Sequence, residues 1–462
     1  MINMSKVKEQ MPTADPQKRI KNFEEVELGF TDDLALSEAK RCLNCKSKPC
    51  VSKCPVGVNI PGFINEIVNG NIKKSYDLIL NSNIFPAICG RVCPQEKQCE
   101  AGCVRAKNGE AVSIGRLERY VADKNLNFSK ISENFNISTK TAHKIAVVGS
   151  GPSGLTCAFE LAKSGFKVTV FEALHMAGGV LAYGIPEFRL PEKILESEIA
   201  KLKNCGVDIV TNVVIGKSLS VEDLFNLGYE AIYISCGAGL PKFMNIPGEG
   251  LSGIYCANEF LTRINLMKSY KEEYDTPIIK PKNVLVVGGG NVAMDAARCA
   301  RRLGNPNVTV MYRRTEEEMP ARKAEIFHAK EEGVNFKFLN NPVSFFGENG
   351  KVSGAKYLKM RLSDKTDNGR RNVSPILEQE YIFEADMVIV AIGNNPNGII
   401  KYASDKIEYD EKGRIKIDDK TMRSTLPFVY AGGDIVTGAA TVILAMGAGK
   451  KAANQIIKDI SN

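Results

Sequence analysis

The clearest pattern in this chain begins with four apolar residues, 145–148, which have the length of a buried parallel strand. The spacing Gly149-x-Gly151-x-x-Gly154 follows at once, and a helical run leads to a second strand over residues 167–171. Glu172 comes directly after that strand. The pattern predicts a strand–helix–strand unit in which a glycine turn opens the helix and an acidic residue follows the second strand.

Residues 283–314 repeat this unit. Gly288-x-Gly290 falls where the first two glycines were, and Ala293 takes the place of the third, which the motif allows. When the closing strands KVTVFEA and NVTVMYRR are aligned, Tyr312 stands at the position of the acid and two arginines follow it. The sequence therefore predicts two related nucleotide-binding units that differ after their second strand.

Three further strand-like runs end in small residues, namely residues 231–237 (AIYISCG), 387–393 (MVIVAIG) and 428–434 (FVYAGGD). Such runs are typical of strands that complete a parallel sheet. We expect an α/β fold with two Rossmann-like domains of the disulfide-reductase type. The first would comprise residues 141–275 and 395–462, and the second residues 276–394.

The first 140 residues follow a different pattern, which predicts a separate helical domain. Residues 1–30 are polar and punctuated by proline, which favours an extended arm. Residues 32–41 and 116–123 predict helices, as do apolar positions at helical spacing between residues 72 and 80. Residues 124–143, rich in Asn, Ser and Lys, predict a linker.

Composition narrows the class of protein. The 462 residues are 44% hydrophobic and 25% charged, as in a globular protein of several domains. A net charge of +8 without a long basic run favours an anionic cofactor or an acidic protein partner over nucleic acid. No apolar run approaches the roughly 18 residues of a membrane span, and the first residues lack a signal-peptide core. We therefore expect a cytoplasmic protein with reduced thiols. Only three histidines are present, which disfavours histidine acid–base chemistry.

Eight of the 13 cysteines fall into two groups between residues 42 and 103. Disulfides are disfavoured in a reducing compartment, and zinc sites usually contain two C-x2-C pairs, of which only one is present. The first group ends in C-x3-C-P, as bacterial ferredoxin runs do, so we favour two [4Fe–4S] clusters over zinc. The groups are Cys42-x2-Cys45-x4-Cys50-x3-Cys54 and Cys89-x3-Cys93-x5-Cys99-x3-Cys103.

The division of these cysteines between two clusters stays open at this point. In two-cluster ferredoxins the fourth cysteine of a run serves the other cluster. That rule would leave the first cluster with three cysteines and give the second five. One cysteine would then be spare, and the first cluster would need a ligand other than cysteine.

The residues after each second strand predict different nucleotides. Glu172 suits a free ribose hydroxyl, so the first unit should bind FAD, whereas Arg313 and Arg314 suit the 2′-phosphate of NADPH. A solvated basic turn is the alternative for the arginines. Gly179 predicts close approach of the backbone to a ligand, and an ordinary surface loop is the alternative. Gly433-Asp434 places a carboxylate at the start of a helix, where it could meet a ligand, and a simple helix N-cap is the alternative for Asp434.

The chain resembles a known family, and the resemblance extends essentially from one end of the chain to the other. Four segments carry it: RCLNCKSKPCVSKCPVGVNIPGF, CGRVCPQEKQCEAGC, AIGN and AGGD. The family is that of the small (beta) subunit of NADPH-dependent glutamate synthase. It includes the large subunit of the electron-bifurcating NADH-dependent NADP:ferredoxin oxidoreductase, a sulfide dehydrogenase subunit and the N-terminal part of dihydropyrimidine dehydrogenase. The resemblance implies an N-terminal two-cluster helical domain in front of two nucleotide domains.

The resemblance also implies site residues. FAD would contact Gly149, Gly151, Gly154, Glu172, Gly179, Gly433 and Asp434, and NADPH would contact Gly288, Gly290, Asn291, Arg313 and Arg314. Family members use a carboxylate or amide ligand in a segment like IGRLERY, which corresponds to Glu118. One cluster would then be held by Cys42, Cys45, Cys50 and Glu118, and the other by Cys54, Cys93, Cys99 and Cys103, with Cys89 spare.

The parts predict an NADPH oxidoreductase without a general base, which passes electrons through FAD and two clusters to a partner. The partner would be the glutamate synthase large subunit or a ferredoxin-reductase-like flavoprotein subunit, with ferredoxin as a further acceptor, so we expect a hetero-oligomer. A thioredoxin-reductase-like enzyme is disfavoured because the remaining cysteines do not form a pair, and a complete pyrimidine reductase because no barrel follows. A non-catalytic scaffold that carries clusters is the alternative from another class.

Overall fold

The computed structural model describes residues 2–126, 142–367, 370–377 and 379–461, so most of the predicted linker, residues 127–141, lies outside the described residues. Among the described helices, none is both long and apolar enough to cross a membrane. The helices are α1 Pro16–Arg19, α2 Asp32–Ala39, α3 Pro49–Ser52, α4 Ile60–Val68, α5 Ile72–Leu80, α6 Pro86–Val92, α7 Ile114–Lys124, α8 Pro152–Lys163, α9 Val180–Tyr183, α10 Glu192–Asn204, α11 Val221–Asn226, α12 Ala257–Asn265, α13 Asn291–Arg302, α14 Lys323–Glu331, α15 Asp434–Thr437 and α16 Val442–Ile460.

The strands form two parallel sheets and one antiparallel sheet, with a short two-stranded pairing of β5 and β15. They are β1 Lys144–Val148, β2 Lys167–Phe171, β3 Val207–Val210, β4 Ala231–Ile234, β5 Leu240–Pro241, β6 Ile254–Cys256, β7 Asn283–Val287, β8 Asn307–Tyr312, β9 Asn335–Phe338, β10 Asn340–Glu348, β11 Lys351–Asp367, β12 Arg370–Pro375, β13 Tyr381–Glu384, β14 Met387–Val390, β15 Asn394–Asn395 and β16 Val429–Ala431.

The N-terminal part is helical and encloses its own apolar side chains. Phe63 of α4, Ile79 of α5 and Leu117 of α7 are completely buried, as is Phe85 just before α6. These side chains belong to a hydrophobic cluster that continues into the first parallel sheet. The helical part is therefore packed directly against the nucleotide-binding half of the chain, and burial of its apolar face stabilises both.

The first sheet has the strand order β3-β2-β1-β4-β16, with every neighbouring pair parallel. Its central strand β1 is buried except at Lys144, as expected of a strand covered by helices on both faces. Helices α8 and α16 pack against each other on this sheet. The strand from the end of the chain, β16, thus joins the same sheet as β1, as the small-residue runs predict.

The second sheet repeats this arrangement in the order β6-β14-β7-β8-β9, again with parallel neighbours. Between β9 and β14 the chain forms an antiparallel sheet of β10 to β13, which the sequence patterns do not predict. This sheet packs on the second parallel sheet through Phe345, Tyr357 and Val388. It is an insertion in the domain that the sequence predicts for residues 276–394.

The N-terminal arm contacts the second nucleotide-binding part. Arg19 is 1% exposed, and its guanidinium forms ion pairs with Glu331 (2.9 Å) and Glu332 (2.8 Å) beyond the middle of the chain. The ring of Phe23 stacks on Tyr270 with centroids 4.0 Å apart. The predicted extended arm contains the short helix α1 and is fixed to the body of the protein by buried charge and aromatic contact.

Candidate nucleotide and cluster sites

The first glycine turn has the geometry of a phosphate-binding loop. Gly149 adopts a φ of 98°, which favours glycine, and Gly151 is the N-cap of α8. A Cβ atom on Gly154 would lie 2.0 Å from the carbonyl oxygen of Gly149, so only glycine fits there. The turn directs the free N–H groups of the first turn of α8 away from β1, where an anion is stabilised by them.

Glu172 is held against this turn by hydrogen bonds. It is 6% exposed and accepts from the backbone N–H of Ser150 (2.9 Å), from the Ser150 hydroxyl (2.5 Å) and from the N–H of Leu174 (2.9 Å). The Ser150 hydroxyl oxygen in turn accepts from the N–H of Gly178 (2.9 Å). The acid, the glycine turn and the glycine pair at 178–179 therefore form one connected unit.

Two glycines bring further backbone close to the start of α8. A Cβ atom on Gly179 would lie 2.8 Å from Cα of Gly151, and one on Gly433 would lie 2.9 Å from Cβ of Ser153. Gly433 is the N-cap of α15, and the Asp434 carboxylate accepts from the N–H of Ala440 at 3.2 Å. The N-cap alternative for Asp434 thus does not describe the structure, because Gly433 occupies that position.

Asp434 and Glu172 both lie near the Tyr183 ring. Burial raises the pKa of Asp434 to about 6. The pKa of Tyr183 is raised to about 12, first by burial and then by the negative charges of Asp434 and Glu172. The two carboxylates and the start of α8 therefore surround one region, which can accept a ribose hydroxyl, a sugar chain and a pyrophosphate.

The second glycine turn has the same backbone arrangement as the first, but a different side chain packs against it. A Cβ atom on Gly288 would lie 2.3 Å from the carbonyl oxygen of Ala391, and Gly290 is the N-cap of α13. The Tyr312 ring packs on Gly289, where a Cβ atom would meet ring carbons at 2.6 Å, and its hydroxyl donates to the carbonyl of Glu318 (3.0 Å). An aromatic ring thus replaces the acid.

The two arginines after Tyr312 differ from each other. Arg313 is exposed, whereas Arg314 is 8% exposed and its Nε donates to the carbonyl of Arg371 (2.6 Å). The guanidinium of Arg313 is nevertheless partly desolvated, which lowers its pKa, and the positive charges of Arg314 and Arg370 lower the pKa as well. Three guanidiniums near one another favour an anion between them, which suits a phosphate. Arg370 belongs to the unpredicted antiparallel sheet, and no pattern in the sequence places it here.

The first three cysteines share a cavity with the last one. Cys42, Cys45, Cys50 and Cys103 line a partly open cavity, together with apolar side chains such as Ile60 and Ile114. Burial, and then the neighbouring charges of Cys42 and Cys103, raise the pKa of the Cys50 thiol to about 11. Four thiols in an apolar shell fit a [4Fe–4S] cluster, because iron compensates the charge of four thiolates. The backbone N–H of Val112 donates to Cys103 Sγ (3.5 Å), the kind of contact that tunes such clusters.

The second set of ligand candidates includes Glu118. The charge of Glu118 contributes, behind burial, to raising the thiol pKa of both Cys54 and Cys99, and Cys93 also acts on Cys99. Burial raises the pKa of Glu118 to about 7, and its Oε1 accepts a hydrogen bond from Asn83 Nδ2 (2.7 Å). A buried carboxyl beside three thiols is a suitable oxygen ligand for a second cluster.

This grouping differs from the division that the family resemblance implies, and that division stays a prediction. Cys103 lines one cavity with Cys42, Cys45 and Cys50, whereas the charge of Glu118 acts on Cys54 and Cys99. The physical reason is that Cys103 follows a short helical turn which packs against α3, whereas α7 carries Glu118 toward the interior. Among the described residues, no three His, Cys, Asp or Glu side chains are arranged to hold a single metal ion.

Cys89 lies beside the second set. Its sulfur is 3.6 Å from Asn83 Oδ1 and 3.6 Å from Met446 Sδ, and a hydrogen bond to Cys93 raises its pKa. It is 1% exposed. Its location makes Cys89 an alternative to Glu118 as a ligand of the second cluster, and substitutions at both residues distinguish the two.

Sequence reasoning missed the loop that joins the cysteines to the nucleotide-binding parts. In residues 94–98, Lys97 donates to the carbonyl of Pro320 (2.9 Å) and Gln98 to the hydroxyl of Thr441 (3.3 Å). Thr441 is the N-cap of α16, and Pro320 lies beside the second glycine turn. The loop between Cys93 and Cys99 thus contacts both nucleotide-binding parts.

Comparisons with known proteins agree with this architecture. Residues 19–130 match the family described as dihydropyrimidine dehydrogenase domain II, 4Fe-4S cluster. Residues 143–449 match the family described as pyridine nucleotide-disulphide oxidoreductase. The chain is an oxidoreductase of this second class, with an iron–sulfur domain in front of an α/β half, which confirms the predicted fold class.

Relatives define the family more narrowly. The glutamate synthase [NADPH] small chain of Escherichia coli K12 is 34% identical over 455 residues, which cover 96% of each chain. The NAD-dependent dihydropyrimidine dehydrogenase subunit PreT of Salmonella typhimurium is 33% identical, with 94% of this chain and 96% of that protein covered. Mycobacterium tuberculosis FprA in complex with NADPH shares the fold with a TM-score of 0.59 at 19% identity, over 70% of this chain and 85% of that one. The chain belongs to the family of the glutamate synthase [NADPH] small chain.

Proposed function

We propose that this protein oxidises NADPH and passes the electrons, through FAD and two [4Fe–4S] clusters, to a partner subunit, as the glutamate synthase small chain. The observation that carries the proposal is the loop at residues 94–98. It lies between cysteines of the second set and contacts Thr441 on the flavin side and Pro320 on the nicotinamide side. The loop is covalently joined to Cys93 and Cys99, and its hydrogen bonds connect these cysteines to both nucleotide sites.

In the flavin site the chain supplies binding and orientation. The first turn of α8 and the backbone near Gly179 and Gly433 would hold the pyrophosphate, and Glu172 and Asp434 would accept hydroxyls of the ribose and the sugar chain. When bound, FAD exchanges a hydride with NADPH and single electrons with iron–sulfur clusters, which is chemistry that amino-acid side chains do not provide. The scarcity of histidine agrees with a mechanism that needs no general base.

In the second site the chain selects the phosphorylated dinucleotide. Gly288 and Gly290 open α13 for the pyrophosphate, and Asn291 is its first residue. Arg313 is exposed and has two positive neighbours, so a 2′-phosphate would relieve repulsion as well as form charge-assisted hydrogen bonds. Arg313 and Arg314 therefore favour the NADPH-dependent small chain over the NAD-dependent PreT subunit as the functional counterpart of this protein.

For the clusters we propose two ligand sets that follow the geometry. The first is Cys42, Cys45, Cys50 and Cys103, and the second is Cys54, Cys93, Cys99 and Glu118, with Cys89 spare. Cys89→Ser should leave about eight irons per chain, which is two cubanes. Glu118→Ala should lower the iron content or convert the second cluster. If Glu118→Ala kept both clusters and Cys89→Ser lost one, the assignment of Glu118 as the fourth ligand would be overturned.

The partner is the remaining part of the proposal. A hetero-oligomer agrees with the names of the relatives, one of which is a small chain and the other a subunit. Four exposed lysines lie within a few residues of the cysteines that line the first cavity, namely Lys46, Lys48, Lys53 and Lys107. Positive charge there favours an acidic partner surface for electron transfer.

The test is anaerobic reduction of the purified protein followed by reconstitution with the glutamate synthase large subunit. We expect NADPH to bleach the flavin absorbance and the two-subunit complex to form glutamate from glutamine and 2-oxoglutarate. Bleaching without glutamate formation would favour another partner, of which the bifurcating NADH-dependent NADP:ferredoxin oxidoreductase is the alternative. Absence of bleaching in a protein that holds flavin would favour the scaffold.

A further inference from the structure

Residues 321–322 are hydrogen-bonded to the second glycine turn and to the start of α13. The backbone N–H of Ala321 donates to the carbonyl of Gly289 (3.2 Å), and the N–H of Arg322 donates to Oδ1 of Asn291 (2.8 Å). Asn291 is the first residue of α13. Any displacement of the turn or of Asn291 when a dinucleotide binds is therefore passed to the backbone of Arg322.

The Arg322 side chain extends from this backbone to the iron–sulfur domain. Its two terminal nitrogens donate to the carbonyl of Arg91 (2.6 Å) and to Oε1 of Gln95 (2.9 Å). Arg91 lies in the last turn of α6, two residues before Cys93, and Gln95 lies in the loop of residues 94–98. The planar guanidinium is suited to holding two acceptors at once in a fixed geometry.

Gln95 contacts both α6, which ends directly before Cys93, and α7, which contains Glu118. Its Nε2 donates to the carbonyls of Cys89 (3.3 Å) and Gly90 (3.2 Å) in α6. On the other side it fills the space next to Gly115 in α7, where a Cβ atom would lie 2.2 Å from Gln95 Nε2. Helix α7 carries Glu118 one turn further on. A shift of Gln95 therefore displaces both sides of the second ligand set.

The contact also has unused hydrogen-bonding capacity. Nε of Arg322 and Oε1 of Glu96 are buried without a hydrogen-bond partner among the described residues, and Nε lies 3.9 Å from the other Glu96 oxygen. Buried polar atoms without partners are uncommon and need an explanation. A small movement that closes this gap would satisfy both groups, so a second arrangement of the loop is accessible to the side chains present.

We propose that Arg322 is a positioning residue that couples occupancy of the NADPH site to the conformation of the loop of residues 94–98, and so to the second cluster. The inference rests on the proposed function, since it requires a dinucleotide at the second glycine turn. The coupling runs from Asn291 through the Arg322 backbone to its guanidinium, and from there to Gln95. By linkage, the state of the loop and the affinity for the dinucleotide change each other by the same factor.

The test is amide hydrogen exchange of the anaerobic holoprotein with and without NADP⁺. In the wild type we expect NADP⁺ to slow exchange at residues 288–291 and, by at least about fivefold, in the loop of residues 94–98. Arg322→Ala keeps the backbone bond to Asn291, so protection at residues 288–291 should persist while the loop no longer responds. Lys323→Ala, an exposed neighbour, is the matched control and should behave as the wild type.

A spectroscopic readout distinguishes coupling from a merely structural contact. NADP⁺ should shift the electron paramagnetic resonance spectrum of the reduced wild-type clusters, and Arg322→Ala should keep its iron but lose that shift. Arg322→Lys keeps the charge without the two-pronged contact and should lose most of the response. A loop response that is absent in the wild type or unchanged in Arg322→Ala would overturn this inference, whereas failure of NADP⁺ to protect residues 288–291 would overturn the proposed function itself.

Discussion

The two strand–helix–strand units have the same backbone turn but differ in the side chains after their second strands. In the first, Glu172 turns back and accepts three hydrogen bonds from the loop. In the second, the Tyr312 ring covers the loop and Arg313 extends outward. From this comparison we propose that the glycine turn provides the site for a pyrophosphate, while the residues at one strand end select which ribose follows it.

The largest expected effect separates the third positions of the two turns. Gly154→Ala puts a Cβ atom 2.0 Å from the Gly149 carbonyl, which cannot move without opening the turn, so we expect loss of bound flavin. Ala293, which holds the same position in the second unit, is already an alanine, and Ala293→Gly should cost only about 1 kcal/mol of helix stability. Flavin content and thermal unfolding of both variants measure the difference. Full flavin content in Gly154→Ala would contradict the proposed close approach.

The next effect concerns the acid that the second unit lacks. Glu172→Ala leaves the Ser150 N–H, the Ser150 hydroxyl and the Leu174 N–H without their acceptor, at about 1–3 kcal/mol for each group that stays buried. We expect a lower melting temperature and weak flavin binding, while the NADPH affinity stays near the wild-type value. Glu172→Gln keeps one acceptor oxygen and should be intermediate. Equal loss of both nucleotides would show that the units are not separable.

A smaller effect is expected at the arginine that replaces the acid's role. Arg313→Ser removes charge-assisted contacts worth about 1.5–3 kcal/mol, so KM for NADPH should rise by about tenfold to a hundredfold while KM for NADH changes little. Lys280→Ala, at an exposed lysine before β7, controls for the loss of one positive charge. An equal rise in KM for NADH would indicate damage to the turn instead of lost recognition of the phosphate.

The smallest effect distinguishes Asp434 from Glu172 within the flavin site. Burial raises the pKa of Asp434 to about 6, so the folded protein binds this proton more tightly than the unfolded chain does. The stability of the flavin-free protein should therefore fall as pH rises from about 4 to about 6 and then level off. Asp434→Asn should remove about 1–2 kcal/mol of that decline. Chemical denaturation at pH 4.5 and 7 measures it, and an unchanged slope would contradict a buried, weakly bonded carboxyl.

Local patterns predicted both units because their causes are local. A positive φ at Gly149, an N-cap at Gly151 and an alternation of strand and helix depend on residues close in sequence. The run at residues 428–434 predicts a strand from its own sequence, and in the structure this strand, β16, pairs with β4 of the first sheet. These features give the fold class, while the residue roles at the sites stay predictions.

Contacts between distant parts of the chain could not be predicted in the same way. The position of Cys103 beside Cys42 depends on how one short helical turn packs against another, and spacing rules gave a different division. The antiparallel sheet of β10 to β13 brings Arg370 to Arg313, and the contact of Arg322 with Gln95 spans more than 200 residues. No periodicity within a segment carries information on such pairs.

The most direct test of the central claim is the ratio of kcat/KM for NADPH and NADH in anaerobic bleaching of the bound flavin. The claim is that the first unit binds FAD and the second, through Arg313 beside Tyr312, binds the phosphorylated dinucleotide. It predicts that NADPH is preferred by at least about tenfold and that the preference falls in Arg313→Ser. Equal use of NADH by the wild-type protein, or a preference unaffected by Arg313→Ser, would contradict it.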